Sequence, residues 1–286
     1  MLKAGITVII PTYNLRKLLR STLLSLTFQT LDSSCFEVIV VDDGSTDGTE
    51  AIIEDFSGSI NLKYFFQEDE GFRVAKARNV GIKNAAYDVC LFIDSGVVAE
   101  PRLLECHIEA HRSAAGTLAI VGYAYGFQEF APTEIDRDTT FDSTQSLSNL
   151  FLDLHQDQKD CREITLSKLG LKIEELSIPW FLFWTCHTSC TTTALQLING
   201  FDENFQSWGG EDIELAIRLY RNGTSFRSLE AARAIHLPHA RDSEFNKESG
   251  KKNSEYIYKK HPAPDVKFLL DESADWKDAI IKHLDL

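Results

Sequence analysis

Residues 36–45 read FEVIVVDDGS, and this stretch decides the fold. Phe36 to Val41 form a nearly unbroken apolar, β-branched run, too short for a helix and without the alternation of a strand that is wet on one face. The run ends in two carboxylates, a glycine and a serine, the composition of a turn. A strand buried on both faces belongs in a sheet that helices cover on both sides.

The neighbouring segments repeat that pattern. Before it lie GITVIIP (5–11), another buried strand, and LRKLLRSTLLSLTFQ (15–29), whose Leu18, Leu19, Thr22, Leu23 and Leu26 fall near helical spacing. After it come TEAIIEDFSG (helix), LKYFFQ (strand), VAKARNVGIKNA (helix) and DVCLFID (strand). Strand–helix alternation of this kind predicts an α/β fold with a mostly parallel sheet flanked by helices. Ligands of such sheets gather beyond the carboxyl ends of the strands. That rule places Pro11-Thr12-Tyr13-Asn14, Asp42-Asp43-Gly44-Ser45 and Asp94-Ser95-Gly96 in one crevice.

Further on, PRLLECHIEAHRSA predicts an amphipathic helix and TLAIVGYAYGF a strand, followed by a polar, helix-leaning insertion over 128–178. The run IPWFLFWTCHTSC then carries Trp180, Phe181, Phe183 and Trp184, read either as an acceptor-site wall or as a core strand. SWGGEDIELAIRLYRNG opens a helix at a Gly-Gly turn, and DWKDAIIKHLDL (275–286) predicts a terminal amphipathic helix. The organisation expected is one continuous domain, with a nucleotide-binding half over 1–125 and an acceptor-binding half over 126–286.

The 286 residues carry a formal charge of −14, which argues against a nucleic-acid or anionic-membrane surface. No run of about 18 apolar residues is present, so no membrane span is expected, and a strand starting at residue 5 leaves no room for a signal peptide. A cytoplasmic protein is the expectation; the oligomeric state is left open. The six cysteines lack paired CxxC motifs and read as buried thiols, with Cys186-x3-Cys190 a weak metal pattern.

Several residues point to chemistry. Asp43, at a strand end before a Gly-Ser turn, can accept hydrogen bonds from a base or ribose, and Tyr13 can stack a nucleobase. Arg73, Lys76 and Arg78 stand near a helix start, a natural place for a diphosphate. In WGGED, Trp208 can stack a sugar ring, while Asp212 can take a proton from a hydroxyl nucleophile and Glu211 can help hold the acceptor. His236 and His239 follow a short strand, and one of them can complete a site with Asp94.

Taken together, VIIPTYN, EVIVVDDGSTDGT, QEDEGFRVAKARNVGIKNA, FIDSG and WGGEDIELAIRLYRNG resemble the family 2 glycosyltransferases of the GT-A (Rossmann-like) fold. The WGGED segment is similar to the C-terminal part of galactosyltransferases and chondroitin-polymerase domains. The resemblance implies inverting transfer of a sugar from a nucleotide diphosphate sugar, usually a UDP-sugar, to a hydroxyl of a soluble acceptor: a small metabolite, an oligosaccharide or a peptide. It implies that Pro11, Tyr13, Asp43, Arg78 and Asp94 bind the donor, that Trp208, Gly210 and Glu211 face the acceptor, and that Asp212 is the catalytic base. It also implies a Mg or Mn ion on Asp94 and His236, with His239 as a fallback. The departure is Gly96, which stands where the second acid of the DXD motif belongs. Two hypotheses follow from it: weaker metal binding shared with the donor diphosphate, or metal-independent transfer with Arg73, Lys76 or Arg78 taking the leaving charge. The rival functions are a nucleotidyltransferase and a non-catalytic sugar-nucleotide binding protein; the absence of glycine in PTYNLRK and the intact WGGED speak against them.

Overall fold

The computed structural model describes residues 2–126, 141–152, 159–239 and 243–271. One eight-stranded sheet runs through it in the order β3-β2-β1-β4-β7-β6-β8-β5. The strands are β1 (Lys3–Thr12), β2 (Phe36–Asp42), β3 (Leu62–Phe66), β4 (Tyr87–Ile93), β5 (Val97–Ala99), β6 (Leu118–Tyr125), β7 (His187–Thr191) and β8 (Ser225–His236). The first four form the parallel half that the strand–helix alternation predicts, with Val8 paired to both Val38 and Leu91. β7 then enters antiparallel between β4 and β6, and β6 and β8 pair in parallel.

The helices are α1 (Arg16–Thr27), α2 (Thr49–Phe56), α3 (Val74–Asn84), α4 (Leu103–Arg112), α5 (Thr144–Leu152), α6 (Cys161–Leu169), α7 (Thr192–Leu197), α8 (Glu211–Arg221), α9 (Ser243–Lys260) and α10 (Pro264–Lys267). α1 and α4 pack with one face of the sheet in a core containing Ile6, Val8, Leu19, Leu23, Val38 and Leu104. On the other face α3 and α8 enclose Ile9, Phe92, Ala75, Leu215 and Ile217. This two-sided burial explains the near-continuous apolar runs.

The aromatic run takes the core role, though as a 3-10 turn over Pro179–Leu182 and not a strand. Trp180, Leu182 and Phe183 are fully buried, so Trp180 and Phe183 do not wall an acceptor site. Trp184 is partly buried and lies over the Arg162 guanidinium at 5.4 Å. All six cysteines are free thiols, five of them buried. The predicted helix over 275–286 lies outside the described residues.

Between α4 and β7 lies a buried polar chain absent from the sequence reading. His187 Nδ1 is 3.2 Å from the Tyr123 carbonyl, His107 Nε2 is 2.9 Å from His187 Nε2, and Ser189 Oγ is 2.8 Å from both His107 Nδ1 and His111 Nε2. A carbonyl can only accept, so His187 must carry its proton on Nδ1. Its Nε2 then accepts from His107, Ser189 donates to His107 Nδ1, and His111 donates to Ser189. This arrangement needs no charged ring. Burial supplies the cause, holding His107 well below its ordinary pKa and His111 and His187 down at about 4.

Candidate active site

The parallel register puts Thr12 level with Asp42, and Asp42 level with Phe66, so the loops after β1, β2 and β3 leave the sheet on one edge. Asp94, next after β4, joins them there. The two neighbouring acids after β2 have different tasks. Asp42 is buried and structural: its Oδ1 accepts from the Ser45 N–H at 2.8 Å and its Oδ2 from the Tyr64 hydroxyl at 2.9 Å. Asp43 accepts from the Gln67 side chain at 2.5 Å and from the Arg73 N–H at 2.8 Å, and pairs with the Arg73 guanidinium at 3.1 Å.

Gly44 lets these loops close up. It has φ +95°, and an added β-carbon would come within 2.5 Å of the Asp69 backbone nitrogen. Asp69 in turn accepts the Tyr13 hydroxyl at 2.9 Å, fixing a ring that is 46% exposed on the rim. Pro11 is buried at the end of β1, where its carbonyl accepts the Ser95 hydroxyl at 3.1 Å.

At the centre of the crevice, Arg78 is buried on α3 and bridges two acids. Its Nη1 donates to Glu211 Oε1 at 2.7 Å and its Nη2 to Asp94 Oδ1 at 3.1 Å, with the Phe201 ring 5.4 Å from the guanidinium. Burial works against the cation, but the Asp94 and Glu211 carboxylates outweigh it and hold its pKa above the ordinary arginine value. This bridge joins the two ends of the chain's motif set across 133 residues.

Asp212 follows in the first turn of α8, whose N-cap is Gly210 in the left-handed region at φ 91°. Its Oδ1 accepts from the Ile213 N–H at 2.8 Å and its Oδ2 from the Thr185 N–H at 3.2 Å. Burial and, second, the Glu211 carboxylate push its pKa up to about 7, against the opposing pull of Arg78 and the two N–H groups. A partly buried carboxylate with that pKa is suited to accept a proton at neutral pH. Oε2 of Glu211 is buried without a hydrogen-bond partner among the described residues.

The remaining basic candidates are placed otherwise than the sequence suggested. The Arg73 guanidinium is buried and committed to Asp43, Glu70 and the Glu68 carbonyl. Arg78 is committed to Asp94 and Glu211. Lys76 is half-buried on the flank of α3 away from the buried Ala75, Ala77, Arg78, Gly81 and Ile82. None of the three stands open over the crevice: the two arginines are held by carboxylates and the lysine lies on the helix flank.

Gly96 is more than a missing acid. At φ +101° its absent β-carbon would point at Leu18, 3.4 Å away, and its N–H and carbonyl are tied to Thr22 and Leu237. A β-carbon there would rest in ordinary contact with Leu18 of α1, so what disfavours a side chain is the left-handed backbone. His236 is buried and paired in register with Val97, and its ring lies 5.1 Å from that of His239. Among the described residues no group of three or more His, Cys, Asp or Glu side chains converges on a cation position. Asp94 follows β4 and His236 ends β8 in register with Val97, so a cation held there would have to take most of its ligands from substrate phosphates and water, as Mg²⁺ commonly does.

Sequence reasoning missed the residues that hold the Trp208–Gly210 loop. Asn253 Nδ2, on α9, donates to the Gly209 carbonyl at 2.6 Å and the Trp208 carbonyl at 3.2 Å, and Ser249 Oγ donates to the Trp208 carbonyl at 2.7 Å. It also missed the Thr185 N–H on Asp212 and the Cys186 carbonyl that accepts from the Asp94 N–H at 3.4 Å. Backbone partners leave no residue-type signal, and the segment that forms α9 reads only as polar.

With this geometry in hand, comparison with known proteins is specific. Residues 7–167 match the model of glycosyl transferase family 2, and residues 169–240 match the model described as the N-terminal domain of galactosyltransferase. The chain is 34% identical over 271 residues to a validoxylamine A glucosyltransferase of Streptomyces hygroscopicus subsp. jinggangensis, covering 90% of this chain and 61% of that one. It is 30% identical over 258 residues to a chondroitin synthase of Escherichia coli, covering 86% and 37% respectively. The chain thus spans less than two thirds of the length of these curated relatives. Among solved structures, S. aureus TarS 1-349 in complex with UDP-GlcNAc superposes with a TM-score of 0.62 at 21% identity, covering 94% of this chain and 71% of that one. A mannosyltransferase from Pyrobaculum calidifontis in complex with GDP-Man and Mn2+ gives 0.63 at 15% identity, covering 98% and 75%. At these identities the superpositions establish the GT-A fold.

Proposed function

The chain belongs to glycosyl transferase family 2, and from that premise we propose that it transfers a sugar, with inversion, from a nucleotide diphosphate sugar to a hydroxyl of a soluble acceptor. UDP-sugar is the preferred donor class, in keeping with the UDP-GlcNAc complex of the structural relative. A small-molecule acceptor agrees with the name of the glucosyltransferase relative. No helix among the described residues is long and apolar enough to cross a membrane, which is consistent with a soluble acceptor. A cytoplasmic site of action belongs to the same proposal.

The observation that carries the proposal is Asp212: a carboxylate with its pKa near 7, seated at a helix N-terminus beside the Glu211–Arg78–Asp94 bridge. The acceptor hydroxyl oxygen attacks the anomeric carbon from the side opposite the leaving group, and Asp212 takes the hydroxyl proton. The bond from that carbon to the diphosphate oxygen breaks, and the electron pair leaves with the nucleoside diphosphate. Asp43, Tyr13 and Pro11 serve the nucleoside; Trp208, Gly210 and Glu211 serve the acceptor. Arg78 acts between the two, holding Asp94 on the donor side and Glu211 on the acceptor side at a fixed separation. Asp94 and His236 would hold Mg²⁺ or Mn²⁺ together with the donor phosphates, and the ion supplies neutralising charge to the diphosphate when bound. Residues 1–125 form the donor half and 126–286 the acceptor half of the one domain.

The test is calorimetric titration with UDP and with GDP, each with Mn²⁺ and with excess EDTA, followed by transfer assays with labelled UDP-sugars. UDP binding that tightens with Mn²⁺, and label appearing in a product, are the expected results. UDP binding indifferent to EDTA would remove the metal assignment. Binding without any transfer or donor hydrolysis would favour a sugar-nucleotide binding protein.

A further inference from the structure

Between α7 and the Trp208–Gly210 loop the chain reverses at Asn199 and Gly200, both with left-handed backbone at φ 61° and 66°. The residues that follow meet Asn79, the neighbour of Arg78 on α3. Asn79 Oδ1 accepts the Phe201 N–H at 2.7 Å, and its Nδ2 donates to the Phe201 carbonyl at 2.9 Å and to Glu203 Oε1 at 2.8 Å. Only one orientation of the amide satisfies all three. One side chain thus pairs both backbone groups of a residue 122 positions away. The approach is close, since a β-carbon on Gly200 would stand 2.3 Å from Asn79 Oδ1.

That pairing seats the Phe201 ring. The ring is buried, meets Phe92 edge-on at 5.3 Å and lies 5.4 Å from the Arg78 guanidinium. Phe92 stands on β4, two residues before Asp94. Arg78 holds Glu211 through Nη1 and Asp94 through Nη2, while its buried Nε has no hydrogen-bond partner among the described residues. The carboxylates fix the outer nitrogens, and the Phe201 ring adds a cation–π contact that neither acid supplies. The next residue, Asp202, reaches α9, where it accepts from the Tyr256 hydroxyl at 2.8 Å and pairs with Lys260 at 2.6 Å. The segment 201–211, which carries the Trp208–Gly210 loop, is therefore gripped at its start by Asn79 and at its end by Arg78, adjacent residues of one helix.

We infer, resting on the glycosyl-transfer reading, that Asn79 is a positioning residue: by seating Phe201 against the Arg78 guanidinium it fixes where Glu211 stands relative to Asp94. Asn79 acts through Phe201 and Arg78 and touches neither substrate. A misplacement of about 1 Å can cost a reaction about 100-fold even when the altered residue lies away from the reacting atoms.

The test has two readouts on the whole chain. The first is the Arg78 Nε–H cross-peak in a proton–nitrogen NMR spectrum, identified by its loss in Arg78→Met. Asn79→Ala and Phe201→Leu are both expected to move it, because each alters the aromatic ring beside the guanidinium. Glu203→Ala, which leaves Asn79 its bonds to Phe201, is expected to leave it in place. The second is turnover of UDP-glucose, UDP-GlcNAc or GDP-mannose with Mn²⁺, read as released nucleoside diphosphate well below the unfolding midpoint of each variant. Asn79→Ala is expected to lower kcat about 10- to 100-fold at unchanged UDP affinity. With Phe201→Leu already present it should cost less than about twofold more, since both changes act on one contact. An unmoved cross-peak, wild-type turnover in Asn79→Ala with only a lower unfolding midpoint, or equal losses in both backgrounds overturns the positioning role. A wild type that turns over none of the three sugar nucleotides overturns the glycosyl-transfer reading instead, and the cross-peak still decides whether Asn79 seats the guanidinium.

Discussion

The placement of Asp212 makes a signed prediction about pH. With its pKa at about 7, the carboxylate is about one-eleventh ionised at pH 6 and ten-elevenths at pH 8, so kcat/KM should rise about tenfold across that interval. Glu211 is a cause of the elevation and Arg78 opposes it. Glu211→Gln removes the like charge and should move the acidic limb to lower pH, whereas Arg78→Met removes the cation and should move it to higher pH. Asp212→Asn leaves the two N–H contacts without an ionisable partner and should cost about 100- to 10,000-fold in turnover, the usual worth of general-base help. The assay is continuous detection of released nucleoside diphosphate over pH 5.5–9 (about one unit beyond the range above, where the base should be fully titrated), with donor affinity measured separately at each end. A limb that stays in place in Glu211→Gln, or an Asp212→Asn variant with near-normal turnover, would refute the assignment of the base.

The remaining predictions concern the supporting structure. The buried histidine chain should make the fold sensitive to acid: a histidine held at about 4 in the folded state and near 6.5 when unfolded contributes stability that is present above pH 6.5 and lost as pH falls towards 4. For His187 this amounts to about 3 kcal/mol at 1.36 kcal/mol per unit, and denaturant midpoints measured between pH 7 and 4.5 should fall accordingly; a flat profile would mean that the rings are not held neutral. Gly96→Asp should not create a stronger metal site, because its β-carbon would be turned toward Leu18 of α1, and it should destabilise the fold by about 1–2 kcal/mol through its left-handed backbone. Thermal unfolding and the Mn²⁺ dependence of UDP binding check both parts, and tighter Mn²⁺-dependent binding in the variant would contradict the geometry. Asn253→Ala should leave the Gly209 carbonyl without its 2.6 Å donor and weaken acceptor use while sparing UDP affinity, a split that steady-state kinetics reads directly.

Much of the donor half was legible in the sequence because its signals are local. An apolar run such as Phe36–Val41 can satisfy its backbone and bury both faces in few ways, so strand, sheet type and crevice edge follow from periodicity and turn chemistry. Asp43, Asp94 and Asp212 stood out in the sequence for the same reason, each standing at a strand or helix end. What local pattern cannot give is the partner of a charge. Arg73, Lys76 and Arg78 are equivalent as letters, yet one braces Asp43, one flanks the helix exterior and one bridges Asp94 to Glu211.

The sequence by itself determined the α/β class, the strand–helix alternation of the parallel half and the acids at its strand ends, since backbone hydrogen bonding and apolar burial act over a few residues. Only the tertiary structure decided that β7 enters antiparallel beside β4, bringing the Thr185 N–H to Asp212 and the Cys186 carbonyl to Asp94. Only it showed that residue 96 faces Leu18, that three histidines share one directed hydrogen-bond chain, and that α9 clasps the Trp208 loop. Each of these depends on groups far apart in the chain meeting at hydrogen-bond distance, a condition set by the packing of the whole sheet and its helices.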